Sequence, residues 1–263
     1  MATYPIYQVD AFTSDIFGGN PAAVVPMDAW PSDEILQNIA AENNLAETAF
    51  FIPDENGFHL RWFTPTTEVD LCGHATLASS WVIFNALHYP KNKIHFSSKS
   101  GELIVSKQDK LLTLDFPIWA YKEEQDNEGR IADALGAKPT AIYSGPDWVV
   151  TYDDYQTVQD MKPDMVKLGA IKEARGMIAT APGYDQYDFV SRAFFPVIGI
   201  EEDPVTGSAH CISAPIWSKK LNKTKLSARQ ISKRGGDPEL ELKNDRIFIS
   251  GEAKLYMKGE IYV

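Results

Sequence analysis

The residues best suited to chemistry sit in two stretches that each run from acidic residues through one glycine into an apolar segment. One is Glu202-Asp203-Pro204-Val205-Thr206-Gly207-Ser208-Ala209-His210. The other is Glu68-Val69-Asp70-Leu71-Cys72-Gly73-His74-Ala75, which continues through Thr76-Leu77-Ala78 to Trp81-Val82-Ile83-Phe84. Each reads as a loop entering a helix, with unpaired backbone N–H groups and a positive dipole end aimed outward. Such a place holds a carboxylate or an oxyanion. Asp203 is a proton carrier, a substrate acceptor or a helix cap, and capping is the commoner role for an Asp so placed. His74 is a proton shuttle or a satisfied histidine of the first turn; the helix dipole favours its neutral form.

A third candidate comes from a strand pattern. Leu45-Ala46-Glu47-Thr48-Ala49-Phe50-Phe51-Ile52 alternates so that Glu47 shares a face with Leu45, Ala49 and Phe51. A carboxylate there is costly to bury unless paired or protonated. Glu47 therefore either faces water at a sheet edge, the commoner outcome, or lies in a cleft as a general acid/base. The sequence has no HxxxH, HExxH or CxxC spacing, no phosphate loop and no dinucleotide fingerprint, so neither a metal nor a nucleotide cofactor is expected. Ser208 lacks the glycine-serine-glycine elbow of a nucleophilic serine.

The elements that must position these residues are written twice. Arg61-Trp62-Phe63-Thr64-Pro65 answers Arg192-Ala193-Phe194-Phe195-Pro196, with the arginines 131 residues apart and Gly73 and Gly207 134 apart in a chain of 263. The spacing predicts two lobes made by duplication, residues 1–117 and 118–263, with the last strands able to cross back to the first lobe, and one helix start from each lobe facing a shared cleft. Chance similarity between two strand-turn-helix units is the alternative.

In chain order, residues 6–12 and 22–25 read as strands joined by the turn Phe17-Gly18-Gly19-Asn20-Pro21, whose glycines serve a tight loop or a close backbone approach. Pro31-Ser32-Asp33-Glu34 signals a helix start. The helix over 73–87 is apolar nearly all round and is expected at the centre of its lobe. Residues 117–129 are polar and are predicted to be the linker. A second helix, over 207–221, is expected to be interrupted or bent at Pro215.

Composition narrows the function. The net charge is −11 with basic residues scattered, which argues against nucleic acid or an anionic membrane surface and for a small-molecule substrate. No apolar run reaches the roughly 20 residues of a membrane helix, and the first residues carry no basic-then-apolar signal, so a cytoplasmic protein is expected. Two cysteines, Cys72 and Cys211, make no disulfide framework and are expected reduced.

The whole chain resembles the PhzF-type phenazine-biosynthesis isomerase family, which has the diaminopimelate epimerase fold. The resemblance is carried by Val9-Asp10-Ala11-Phe12 with Gly19-Asn20-Pro21-Ala22, by Ala46-Glu47-Thr48-Ala49-Phe50, by Arg61 to Pro65, by Asp70-Leu71-Cys72-Gly73-His74-Ala75-Thr76, and by Glu202 to Ala209. It implies an α+β fold of two pseudo-symmetric lobes, each a curled mixed sheet around a central helix. It implies that Glu47 moves a proton between carbons of a small carboxylate-bearing substrate without metal or organic cofactor, with His74, Asp203 and Ser208 as its companions. Asn20, Gly73, Ala75, Gly207 and Ala209 would bind the substrate, and members often form homodimers. Two other readings remain. Cys72-Gly73-His74 resembles the first motif of the two-cysteine racemases, although Thr206 stands where their second thiol belongs and Cys211 lies within the helix. A non-catalytic member that binds a small carboxylate or a protein partner is the other.

Overall fold

The structure is a computed structural model describing residues 1–126 and 129–263. The chain packs as two compact units, Met1–Asp115 with Ser250–Val263, and Phe116–Ile249.

In the first unit the strand Thr3–Ala11 lies between the closing strand Ala253–Tyr262 and Asn20–Pro26, antiparallel to both. Asn20–Pro26 runs parallel to Glu47–Asp54, which pairs antiparallel with Gly57–Phe63. The sheet continues in parallel to Lys93–Ser98 and in antiparallel fashion to Gly101–Gln108 and Leu111–Pro117. One face carries helix α1, Asp33–Asn43, whose Leu36, Ile39 and Ala40 pack with Val25, Phe50 and Phe63. Its start is the signalled one: Ser32 is the N-cap, accepting from the Ile35 N–H.

Helix α2, Gly73–Trp81, is buried from His74 through Ser80. A central helix with three hydroxyl residues needs partners for them, and Thr76, Ser79 and Ser80 bond back to the carbonyls of Cys72, Ala75 and Thr76. The helix runs on as a π-helical turn, Val82–Ala86, and ends at Leu87, matching the span read from the sequence.

The second unit repeats the plan. Its mixed sheet runs through Lys122–Glu124, Ala141–Ser144, Trp148–Thr151, Met177–Pro182 and Phe189–Phe195, antiparallel at each step except the parallel one from Trp148–Thr151 to Met177–Pro182. Phe189–Phe195 then pairs with both Ile200–Asp203 and Lys225–Gln230, and the latter with Glu239–Lys243. Helices α3, Arg130–Leu135, α4, Tyr155–Asp160, and α5, Met165–Ala170, cover one face, contributing Ile131, Val158 and Leu168 to one core cluster. Helix α6, Gly207–Leu221, packs Ala209, Ile212 and Ile216 against Val149, Ile178, Ala193 and Phe195 on the other.

Two expectations need correction. The polar stretch 117–129 contains the strand Lys122–Glu124, paired with Ala141–Ser144; three polar residues suffice at the end of a sheet where one face meets water. Positions 127 and 128 of that stretch lie outside the described residues. Helix α6 passes Pro215 as one element, without interruption. Proline removes the donor that Cys211 O would receive four residues on, and the Trp119 N–H takes that carbonyl instead, at 3.0 Å.

Candidate active site

The candidate residues fall into two groups, one in each unit. In the first, Glu47 opens the strand Glu47–Asp54 and its side chain is 12% exposed. The exposed-edge alternative is thereby excluded. His74 is the second residue of α2, after Cys72, which is extended at φ −144° and ψ 114° and provides no side-chain cap. Burial pushes the His74 imidazole down to about 3, so the ring is neutral at pH 7. Its Nε2 lies 3.2 Å from Glu47 Oε2, a contact between a neutral ring and a carboxyl group and not a salt bridge. On the other ring nitrogen, Nδ1, converge the Asn20 side-chain amide nitrogen at 3.1 Å and Cys72 Sγ at 3.5 Å.

Asn20 is fully buried and follows Gly19, whose φ is +60°. A Cβ at Gly19 would stand 2.2 Å from the Ala11 carbonyl oxygen, so the turn that delivers Asn20 requires glycine. The amide expected to bind substrate is thus placed on the His74 ring.

Glu47, Cys72 and His74 gather their ligand atoms within 4.8 Å of one another. The donor set nonetheless suits a metal ion poorly. Glu47 approaches Nε2 and Cys72 approaches Nδ1, and one ion cannot be bound by both ring nitrogens.

In the second unit Asp203 ends the strand Ile200–Asp203 and is 7% exposed. Its carboxylate accepts from the Thr206 hydroxyl, and Thr206, the N-cap residue, gives no side-chain bond to the helix. The Asp203–Thr206 turn is braced from outside by Gln230, fully buried, which accepts from the Thr206 N–H at 2.8 Å and donates to Asp203 O at 2.7 Å.

Ser208 accepts from Arg175 Nη2 at 3.1 Å, which leaves the hydroxyl hydrogen for another acceptor. Arg175 is itself held by two bonds to the fully buried Asp147 at 2.9 and 2.6 Å, with its guanidinium over the rings of Trp119 and Phe195. His210 turns away into the core, its Nδ1 donating to Thr206 O at 2.8 Å, and burial pushes it down to about 4.

Gly73 and Gly207 are the first residues of their helices, while the methyls of Ala75 and Ala209 are buried. The sequence reading missed Arg175, Asp147 and Gln230, which lie far from the two motifs along the chain. The one signal available was two acidic or basic residues beside glycines, Gly145-Pro146-Asp147 and Arg175-Gly176, too common a pattern to single out.

Two mixed sheets, each with a buried helix led by a glycine, define an α+β protein with the diaminopimelate epimerase-like fold. A hydroxyproline epimerase from Agrobacterium vitis, crystallised with trans-4-hydroxy-L-proline, shares that fold at 9% identity, with a TM-score of 0.68 over 98% of this chain and 92% of its own. Residues 9–259 match the model of the phenazine biosynthesis-like protein family, PhzC-PhzF, and the chain belongs to that family. An uncharacterized isomerase of Pseudomonas aeruginosa is 45% identical over 98% of both chains. The crystal structure of a PhzF-family phenazine biosynthesis protein from Enterococcus faecalis superposes with a TM-score of 0.97 at 46% identity, covering 100% of both chains. Among the described residues no helix is long and apolar enough to cross a membrane.

Proposed function

We propose that this chain is an isomerase that moves a proton between carbons of a small carboxylate-bearing substrate, with Glu47 as the general acid/base and no cofactor. The observation that supports it is the placement of Glu47: a largely buried carboxyl group in contact with a neutral imidazole beside a helix start that lacks a side-chain cap. A carboxyl group so enclosed accepts a proton from carbon without competition from bulk water. The backbone N–H groups at the start of α2, beside Glu47, suit the substrate's carboxylate. Asp203, fixed by Thr206, and Ser208, polarised by Arg175, are the second unit's own candidate acceptor and donor.

The two-cysteine racemase reading is less well supported. It needs a second thiolate, and Cys211 is a buried thiol pushed up to about 12 by its surroundings, chiefly desolvation, with Sγ turned to the Gly207 carbonyl.

The test is deuterium incorporation. A panel of small carboxylates is screened by thermal shift, and those that stabilise the protein are incubated with it in deuterated water. Wild type is expected to exchange a carbon-bound proton of at least one, and Glu47→Gln to lose that exchange. Exchange lost in Cys72→Ser and kept in Glu47→Gln would transfer the role to the thiol. Binding without exchange in wild type would leave a non-catalytic member.

A further inference from the structure

We infer that Asn20 fixes the tautomer of His74, so that the imidazole presents an N–H, and not a lone pair, to Glu47. This rests on the proposed role of Glu47 and identifies what positions that carboxyl group. The Asn20 amide nitrogen lies 3.1 Å from His74 Nδ1. An amide nitrogen has hydrogens to give and no lone pair to offer, so the ring nitrogen facing it must accept. A neutral imidazole that accepts at Nδ1 carries its one hydrogen at Nε2, the atom 3.2 Å from Glu47 Oε2. Cys72 Sγ, 3.5 Å from the same Nδ1, adds a weak S–H donor and so favours the same tautomer.

The surroundings are built to keep this arrangement. Asn20 is fully buried and His74 is 4% exposed, so bulk water does not compete for their contact. The backbone that carries Asn20 is set by Gly19 and by the ladder pairing of Asn20 with Ala11.

The consequence is chemical. A neutral N–H facing one carboxylate oxygen at 3.2 Å places less positive charge beside Glu47 than an imidazolium would. His74 is then a positioning residue acting through Glu47, and not a second proton carrier.

Nitrogen-15 correlation spectra of the ligand-free protein with labelled imidazoles test this without any substrate. The His74 signals, identified by their loss in His74→Gln, are expected to show a protonated, pyrrole-type Nε2 and an unprotonated, pyridine-type Nδ1 at neutral pH. Asn20→Asp, close in shape to asparagine, replaces the donor by an acceptor and is expected to invert the pattern, whereas Cys72→Ala leaves it unchanged. A wild-type ring protonated at Nδ1 or at both nitrogens overturns the inference, as does an Asn20→Asp variant that keeps the Nε2–H pattern or a Cys72→Ala variant that inverts it. If Asn20→Asp fails to fold, the wild-type spectrum still decides the tautomer. Retained deuterium exchange in Glu47→Gln would remove the catalytic reading and leave the tautomer result standing, so the two failures are distinguishable.

Discussion

The two glycine-led helix starts use the same backbone and different side chains. Both N-cap residues, Cys72 and Thr206, are extended and give no side-chain cap bond to a backbone N–H of their helices, and both first turns carry a histidine driven neutral by burial. In α2 that histidine is the second residue and meets Glu47 and Asn20; in α6 it is the fourth residue and bonds only its own turn. The second position of α6 is instead Ser208, polarised by Arg175. A shift of two residues along a helix is about half a turn. That is enough to move one histidine from its unit's candidate site to the core, so two similar helix starts carry different side-chain chemistry.

The comparison can be broken most decisively at the acids. Glu47→Gln is expected to lower deuterium exchange by about 10²–10⁴-fold, the usual worth of a general acid/base, and Asp203→Asn by less, because Asp203 is already engaged by Thr206. Equal losses would mean that the candidate acids of both units carry protons.

The next largest effect is on stability. Arg175→Met leaves Asp147, fully buried, without its bidentate partner. The cost is expected to be about 3 kcal/mol, read as a lowered denaturant midpoint at unchanged slope. Gln230→Leu strands the Thr206 N–H and the Asp203 carbonyl and should cost about 2 kcal/mol. It also loosens the Asp203 turn, so exchange should fall in step with stability.

The buried histidines predict acid lability. Both folded values are depressed below the ordinary 6.5, so the unfolded chain takes up these protons first. Their contribution is complete above about pH 6.5 and is lost as the pH falls, toward about 4 for His210 and about 3 for His74. Each site costs about 1.4 kcal/mol per pH unit within its window. Urea melts between pH 7 and 4 should show the decline, and His210→Phe should flatten it without touching the candidate site of Glu47. An unchanged slope in that variant would show that His210 is not neutral in the native state.

The resemblance between halves runs deeper than the helix starts. Arg61 makes a bidentate pair with Glu68 and lies over Phe63; Arg192 does the same with Glu202 and Phe194. The arginines, their aromatic neighbours and the acidic starts of the two motifs were legible as an echo, but not the pairing of arginine with glutamate, because the glutamates sit seven and ten residues further on, across turns of different length.

Local pattern determined much of this protein. Alternation and apolar periodicity located the strands around Glu47 and both central helices, since those signals depend on neighbours two to four residues apart. The motif residues Glu47, His74, Asp203 and Ser208 were legible for the same reason. The tertiary structure alone decided what each touches. That Asn20 serves the His74 ring, that Gln230 braces the Asp203 turn, and that Arg175 with Asp147 fixes Ser208 depend on contacts spanning 54, 27 and 33 residues. Strand register and packing set such contacts, and no sequence period records them.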